Sequence, residues 1–271
     1  MHLGLDSSAT PGTHSPGLLA HGDEEKFKTL LDFPTIQSPL ALQIGGMCEN
    51  NMRDGVARLN SLLGPKHYDE LNINCGCPSP RVSGSGCFGA ALMRTPEHVA
   101  HLANAAHDAS GGRIPVTVKC RLGLINTVED RPLALAQRGH SDRQASDDRD
   151  FDSVSSFVRC VSENSCVKHF IVHARCADIT GQLDPKENRS IPPLKPHLVH
   201  RLVAEFPRLT FGLNGGLRDY PSAVASHLLA PSDECGQDYS TEMSETDTPS
   251  SYPQVHIKMN KSTKKNNFFF F

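Results

Sequence analysis

The chain has 271 residues, enough for one large α/β domain or two small ones. Hydrophobic residues make up 38% and aromatic residues 6%, with no tryptophan, so part of the length is not core and no base-stacking platform stands out. The net charge of -3 gives no bulk attraction to nucleic acid, and nine cysteines without a secretory leader or a membrane-length apolar run point to reduced thiols inside the cell, in the cytoplasm first and an organelle second.

Residues 1–26 are rich in Gly, Ser, Pro and His, show no periodicity, and read as a disordered lead. Ser38 to Gly46 reads as a strand that ends in a double glycine and carries Gln43 among apolar neighbours. Glu49 to Leu63 follows with Met52, Val56, Leu59, Leu62 and Leu63 on one helical face, and Gly64-Pro65 ends it. Tyr68 to Ile73 is a second strand, in which Leu71 and Ile73 alternate with Asn72 and Asn74. Gly76 and Pro78 stop it, leaving Cys77 and Asn74 on the turn at its C-terminal end. A glycine-rich loop runs from Arg81 to Ala90. Thr95-Pro96-Glu97 then starts a helix to about Ala109, with Thr95 as the cap and proline in the first helical position.

Pro115 to Arg121 is a third strand, and Lys119 and Arg121, two apart, share one face at its end. The polar stretch near 125–152, densest from Gly139 to Asp150, reads as an insertion or long solvated loop. Phe151 to Glu163 recovers a helical pattern. His169 to Arg175 is a fourth strand ending in His173 and Arg175, Pro196 to Phe206 is a helix, and Leu209 to Gly216 is a fifth strand ending in Asn214-Gly215-Gly216. A last helix starts at Asp219 and reaches Leu229. From Pro231 the composition is that of a disordered segment, and the Lys-, Asn- and Phe-rich end has the look of translated non-coding DNA. The domain reading is therefore a lead (1–26), an α/β domain (27–230) and a disordered or spurious tail (231–271).

Strands alternating with helices indicate a parallel sheet with crossover helices. Five strands suit an open doubly wound sheet or part of a (β/α)8 TIM barrel. Every strand ends in a polar or glycine cluster, and chemistry drawn from several strand ends favours the barrel, here incomplete. Gly84-Ser85-Gly86-Cys87-Phe88-Gly89 matches a dinucleotide fingerprint but begins about ten residues past its strand, out of the context that motif requires. Cys75, Cys77 and Cys87 contain no Cys-x-x-Cys pair and have no matching half elsewhere, which argues against a zinc site.

Six stretches occur in one order: Pro-x-Ala-Leu-Gln-x-Gly-Gly (39–46), Asn-x-Gly-Cys-Pro-Ser (74–79), Val-Thr-Val-Lys-x-Arg-x-Gly (116–123), Ile-x-His-Ala-Arg (171–175), Pro-Lys-Glu-Asn-Arg-x-Ile-Pro-Pro-Leu (185–194) and Asn-Gly-Gly (214–216). Together they resemble the tRNA-dihydrouridine synthases, in particular the bacterial A-type branch, over roughly residues 37–229. The resemblance implies an FMN-bearing barrel that reduces uridine in tRNA to dihydrouridine with NADPH as reductant. It makes Cys77 the catalytic residue, giving a proton as a thiol while the flavin gives a hydride. It assigns Gln43, Lys119, His173, Asn214 and Gly216 to the flavin: an amide on the pyrimidine edge, a cation for the reduced ring, a lining imidazole, and a bare backbone near the ribityl or phosphate. Asn74 falls to the substrate base or the flavin edge and Arg175 to the uracil or the tRNA near it, and the uridine must be extruded to reach the flavin.

The family's first strand with its Ala-Pro-Met turn, its last two strands with a Gly-Arg phosphate turn, and its helical C-terminal domain have no counterpart, so the chain reads as truncated at both ends. Two other readings stay open: another FMN-barrel pyrimidine reductase of the dihydroorotate dehydrogenase kind, and a noncatalytic remnant.

Overall fold

The structure, a computed structural model, describes residues 2–4, 24–34, 37–64, 67–80, 82, 88–134, 140–217 and 255–257. The strands are β1 (His2–Gly4), β2 (Ala41–Gly45), β3 (Glu70–Cys75), β4 (Val116–Arg121), β5 (Leu124–Ile125), β6 (His169–His173), β7 (Ala177–Asp178), β8 (Thr210–Asn214) and β9 (Val255–Ile257). The helices are α1 (Glu24–Leu31), α2 (Glu49–Leu63), α3 (Pro96–Ala109), α4 (Arg131–Ala134), α5 (His140–Asn164) and α6 (Pro196–Glu205).

Seven strands form one sheet in the order β1-β2-β3-β4-β6-β8-β9, and every pairing in it is parallel. Sheet order follows chain order with no reversal. The two-residue strands β5 and β7 pair separately, beyond the ends of β4 and β6.

A strand's side chains alternate between the two faces of a sheet, and here the faces differ in kind. One carries Leu42, Ile73, Val118, Phe170, Val172 and Leu213, all in a single apolar core with the buried sides of α2, α3, α5 and α6. The other carries Gln43, Asn72, Asn74, Thr117, Lys119, Arg121, His173 and Asn214. Ile171, the large apolar residue on this second face, is buried yet stands outside that core. Helices on one face of a sheet laid down in chain order make a barrel wall, with the polar face as its lining. The fold is that of an incomplete (β/α)8 barrel; among the described residues β1 and β9 are its edge strands.

The five strands expected from the sequence are β2, β3, β4, β6 and β8, at the centre of the sheet. Strands β1 and β9 lie in stretches expected to be unstructured. Thr95 does not cap α3 with its side chain; the hydroxyl turns back to the Leu92 carbonyl, and the Thr95 carbonyl accepts the first helical N–H groups.

Of the stretch expected as an insertion or long solvated loop, the loop reading is corrected for residues 140–150, which are the first half of α5. Within it Ser146, Asp147 and Asp150 are buried in a polar network. Lys195, ahead of α6, donates to Ser146 Oγ and Asp150 Oδ2, both at 2.7 Å, and pairs ionically with Asp147 Oδ1 at 2.9 Å. His197 meets Asp147 Oδ2 at 2.8 Å, and Arg149 pairs with Asp150. Burial pushes the Asp147 carboxyl up, but its bonds to Lys195 and His197 outweigh this and hold it below the usual carboxylate range.

The expected helix from Asp219, residues 83–87 of the glycine-rich loop, and most of the expected lead and tail lie outside the described residues. No described helix is long and apolar enough to cross a membrane.

Candidate active site

The candidate site is the polar face near the C-terminal ends of β2, β3, β4, β6 and β8. A hydrogen-bonded chain crosses it and begins at the turn after β3. Asn74 Oδ1 accepts the backbone N–H groups of Gly76 at 3.0 Å and Cys77 at 3.1 Å, so its amide nitrogen must face away. That nitrogen donates to Gln43 Oε1 at 3.0 Å. Gln43 Nε2 donates to Asn72 Oδ1, and Asn72 Nδ2 to Thr117 Oγ1, both at 2.8 Å. The Thr117 hydroxyl donates to Glu70 at 2.7 Å. Backbone donors at one end and a carboxylate at the other leave each amide a single orientation. Gln43 and Asn72, each 2% exposed, are held inside this chain.

Cys77 is half-buried just beyond β3, and its carbonyl accepts from the Ala90 N–H at 2.9 Å. Gly89 packs against it with φ +64, and a Cβ there would lie 2.8 Å from the Cys77 oxygen, so only glycine brings the return loop this close. Other cysteines differ. Cys75 and Cys120 sit side by side on the apolar face, and burial pushes both thiols up, Cys120 to about 12. They are inert core residues.

Lys119 pairs in register with Asn74 on the same face. Burial and the neighbouring Arg121 draw its ammonium down to about 8, while Cys120 and Cys77 pull it up. It is still mainly a cation at neutral pH.

Arg121, 3% exposed, does not face the site as a free cation. Its Nε donates to the Gly76 carbonyl at 3.1 Å and its Nη1 to the carbonyls of Asn188 at 3.2 Å and Cys176 at 3.5 Å. The guanidinium ties together the turn bearing Cys77, the end of β6 and the Pro-Lys-Glu-Asn-Arg loop. The Asn188 side chain, fully buried, in turn bonds both backbone groups of Asp178 and the carbonyls of Leu183 and Asp184.

His173 lies beside Arg121 and Asn214 in register. Burial, with the charges of Arg121, Lys119, Arg175 and Arg189, holds its imidazole down at about 2, so it is neutral at any physiological pH. A Cβ on Gly215, where φ is +97, would stand 2.5 Å from this ring. The corresponding space at Gly216 is filled by Leu194, so glycine is needed there for a side chain of the protein itself. Arg175 Nη1 donates to the Ser190 carbonyl at 3.4 Å and to the Pro192 carbonyl, which turns it onto the loop that follows.

The structure thus joins Gln43, Asn74 and Cys77 by hydrogen bonds. It sets Lys119, His173 and Arg175 close enough for their charges to be felt together. Asn214 enters by register alone. Sequence reasoning missed Asn72, Thr117 and Glu70; the period-2 alternation that selected Asn74 puts Asn72 on the same face. Asn188 was part of a quoted motif without a role.

A family model described as "Dihydrouridine synthase (Dus)" matches residues 19–138. A tRNA-dihydrouridine(20/20a) synthase of Xylella fastidiosa (strain 9a5c) is 40% identical over 209 residues, which cover 77% of this chain and 52% of that protein. Proteins of the same name are 39% identical in Synechocystis sp., over 78% of this chain and 53% of theirs, and 36% identical in Escherichia coli (strain K12), over 78% and 52%. The chain spans about half the length of the curated relatives it matches. Among solved structures, DHODH in complex with ferulenol from Eimeria tenella aligns with a TM-score of 0.42 and 13% identity, over 74% of this chain and 54% of that one.

Proposed function

As this chain belongs to the dihydrouridine synthase family, we propose that it reduces uridine in tRNA to dihydrouridine, with FMN as cofactor and NADPH as reductant. The uridines named for its relatives, 20 and 20a, are the first to assay. The observation that carries this reading is Cys77: a thiol at a strand's C-terminal end, its backbone held by Asn74, beside the half-buried cation of Lys119 and above a polar strand face.

The residues fit a flavin by their donor chemistry. After their bonds to one another, Gln43 and Asn74 each keep one amide N–H. These would face the polar edge of the ring, and Lys119 would stand against negative charge on it. His173, neutral, would line the ring without adding charge. FMN held there and reduced by NADPH would supply the hydride chemistry for one carbon of the pyrimidine double bond. Cys77 Sγ gives its proton to the other carbon, so the base gains two hydrogens and the thiolate takes a proton back from solvent. Asn74 fixes the turn from which Cys77 acts, and Arg121 anchors that turn from below.

The test is to purify the full chain, record its flavin spectrum, and assay NADPH-dependent reduction of unmodified tRNA. The wild type is expected to carry flavin stoichiometrically. Cys77→Ala is expected to keep it and to lose about 100- to 10,000-fold in tRNA reduction. A chain without flavin, or a Cys77→Ala variant with an undiminished rate, would overturn the proposal.

A further inference from the structure

Outside this site, one side-chain cluster among the described residues has the composition and spacing of a metal centre. Glu49 opens α2, and His98 and His101 stand three apart, one turn, on α3. One ligand atom from each of the three lies within 4.8 Å of those of the other two. Glu49 Oε1 is 3.6 Å from His98 Nδ1 and 3.4 Å from His101 Nδ1. These distances are long for hydrogen bonds. A tetrahedral ion with bonds of about 2.0–2.1 Å to such donors sets them about 3.3–3.4 Å apart.

The orientation of His98 agrees. Its Nε2 lies 2.6 Å from the Met47 carbonyl. A carbonyl only accepts, so Nε2 carries the proton, and in the neutral ring Nδ1 is left as a lone pair aimed at the carboxylate. Two lone pairs face one another only with a cation or a proton between them. A histidine whose far nitrogen donates to a backbone carbonyl is also the usual support of a metal-binding imidazole.

We propose that Glu49, His98 and His101 form a binding site for a divalent transition cation of the zinc class. Two imidazoles and one carboxylate are borderline donors, suited to Zn²⁺ and Co²⁺ and poorly to Mg²⁺ or Ca²⁺. His101 is exposed, which leaves the fourth position to water. The cation ties the start of α2, reached directly from β2, to the first turns of α3, which follow the loop returning from Cys77. It is a clip on the rim of the candidate site, separate from the chemistry of Cys77.

The test is a titration of the purified full chain with Zn²⁺ against a chromophoric chelator, repeated with Co²⁺. The wild type is expected to take up one equivalent, with a cobalt spectrum of nitrogen and oxygen ligands. His101→Ala and Glu49→Gln are expected to weaken binding about tenfold or more, and Cys48→Ser to leave it unchanged. Added Zn²⁺ is expected to raise the melting temperature of the wild type but not of His101→Ala. Three results would overturn the proposal: no uptake, uptake indifferent to His101→Ala, or a thiolate charge-transfer band that disappears in Cys48→Ser.

Discussion

Thr117 gives its hydroxyl proton to Glu70 at 2.7 Å, and this bond sets the direction of every amide above it. With its proton committed, Thr117 Oγ1 can only accept, so Asn72 must present its nitrogen to Thr117, Gln43 its nitrogen to Asn72 and Asn74 its nitrogen to Gln43. A carboxylate at the base of the face thereby supports the turn holding Cys77, several residues away. Glu70→Leu frees the Thr117 hydroxyl to rotate and is expected to cost about 1.5–3 kcal/mol. Glu70→Gln, which keeps an acceptor, is expected to cost less than half as much. Urea unfolding midpoints of the two variants check this, and the Leu variant alone should lower flavin retention.

Arg121→Met is expected to destabilise the chain by about 3–5 kcal/mol, since the carbonyls of Gly76, Cys176 and Asn188 lose a common charged donor. Arg121→Lys should recover only part of this, because an ammonium has no fork to span carbonyls from three loops. Limited proteolysis should find the 184–194 loop cut faster in both variants than in the wild type.

Lys119 gives the site a pH dependence of known sign. Its ammonium titrates at about 8, so the cation is present below that pH and is lost above it. FMN affinity is expected to fall as pH rises from 7 to 9. Lys119→Met should bind more weakly at pH 7 and show little change over that range. Stability runs the other way: an unfolded lysine keeps its proton to about pH 10.4, so the unfolded state binds more protons from 8 upward and folding becomes more favourable through that window. Fluorescence titrations of flavin at several pH values, with parallel melts, separate the two effects.

Lys195 is the common partner of Ser146, Asp147 and Asp150. Lys195→Met removes the buried cation and leaves the Asp150 carboxylate with Arg149 alone. The expected cost is about 3–5 kcal/mol. Its signature is local. Hydrogen exchange in the first half of α5 should rise to that of an exposed segment, while the second half stays protected.

The central strands and their helices were legible because their apolar residues repeat at the periods of strands and helices. The polar strand ends exposed Gln43, Asn74, Lys119 and His173 for the same reason, as breaks in an apolar pattern. The start of α5 was not legible. Its buried face is built from Ser146, Asp147 and Asp150, and what makes them buriable is Lys195, far along the chain. Composition sees charge there and cannot see the partner. Arg121 misled in the opposite way: alternation placed it on the right face, but nothing local reveals that its donors are taken by carbonyls of one earlier turn and two later loops. Strands β1 and β9 are three residues each, too short for any periodicity.

A sheet that follows chain order has a consequence for how the molecule is made. From β2 onward, each new sheet strand pairs with the sheet strand made before it. As the chain leaves the ribosome, every such segment meets a template already in place, and none must wait for a partner made much later. Assembly can proceed as vectorial growth of one edge, with the pyramid of intermediate states reduced to a row, and at any moment the growing edge is the strand most recently made.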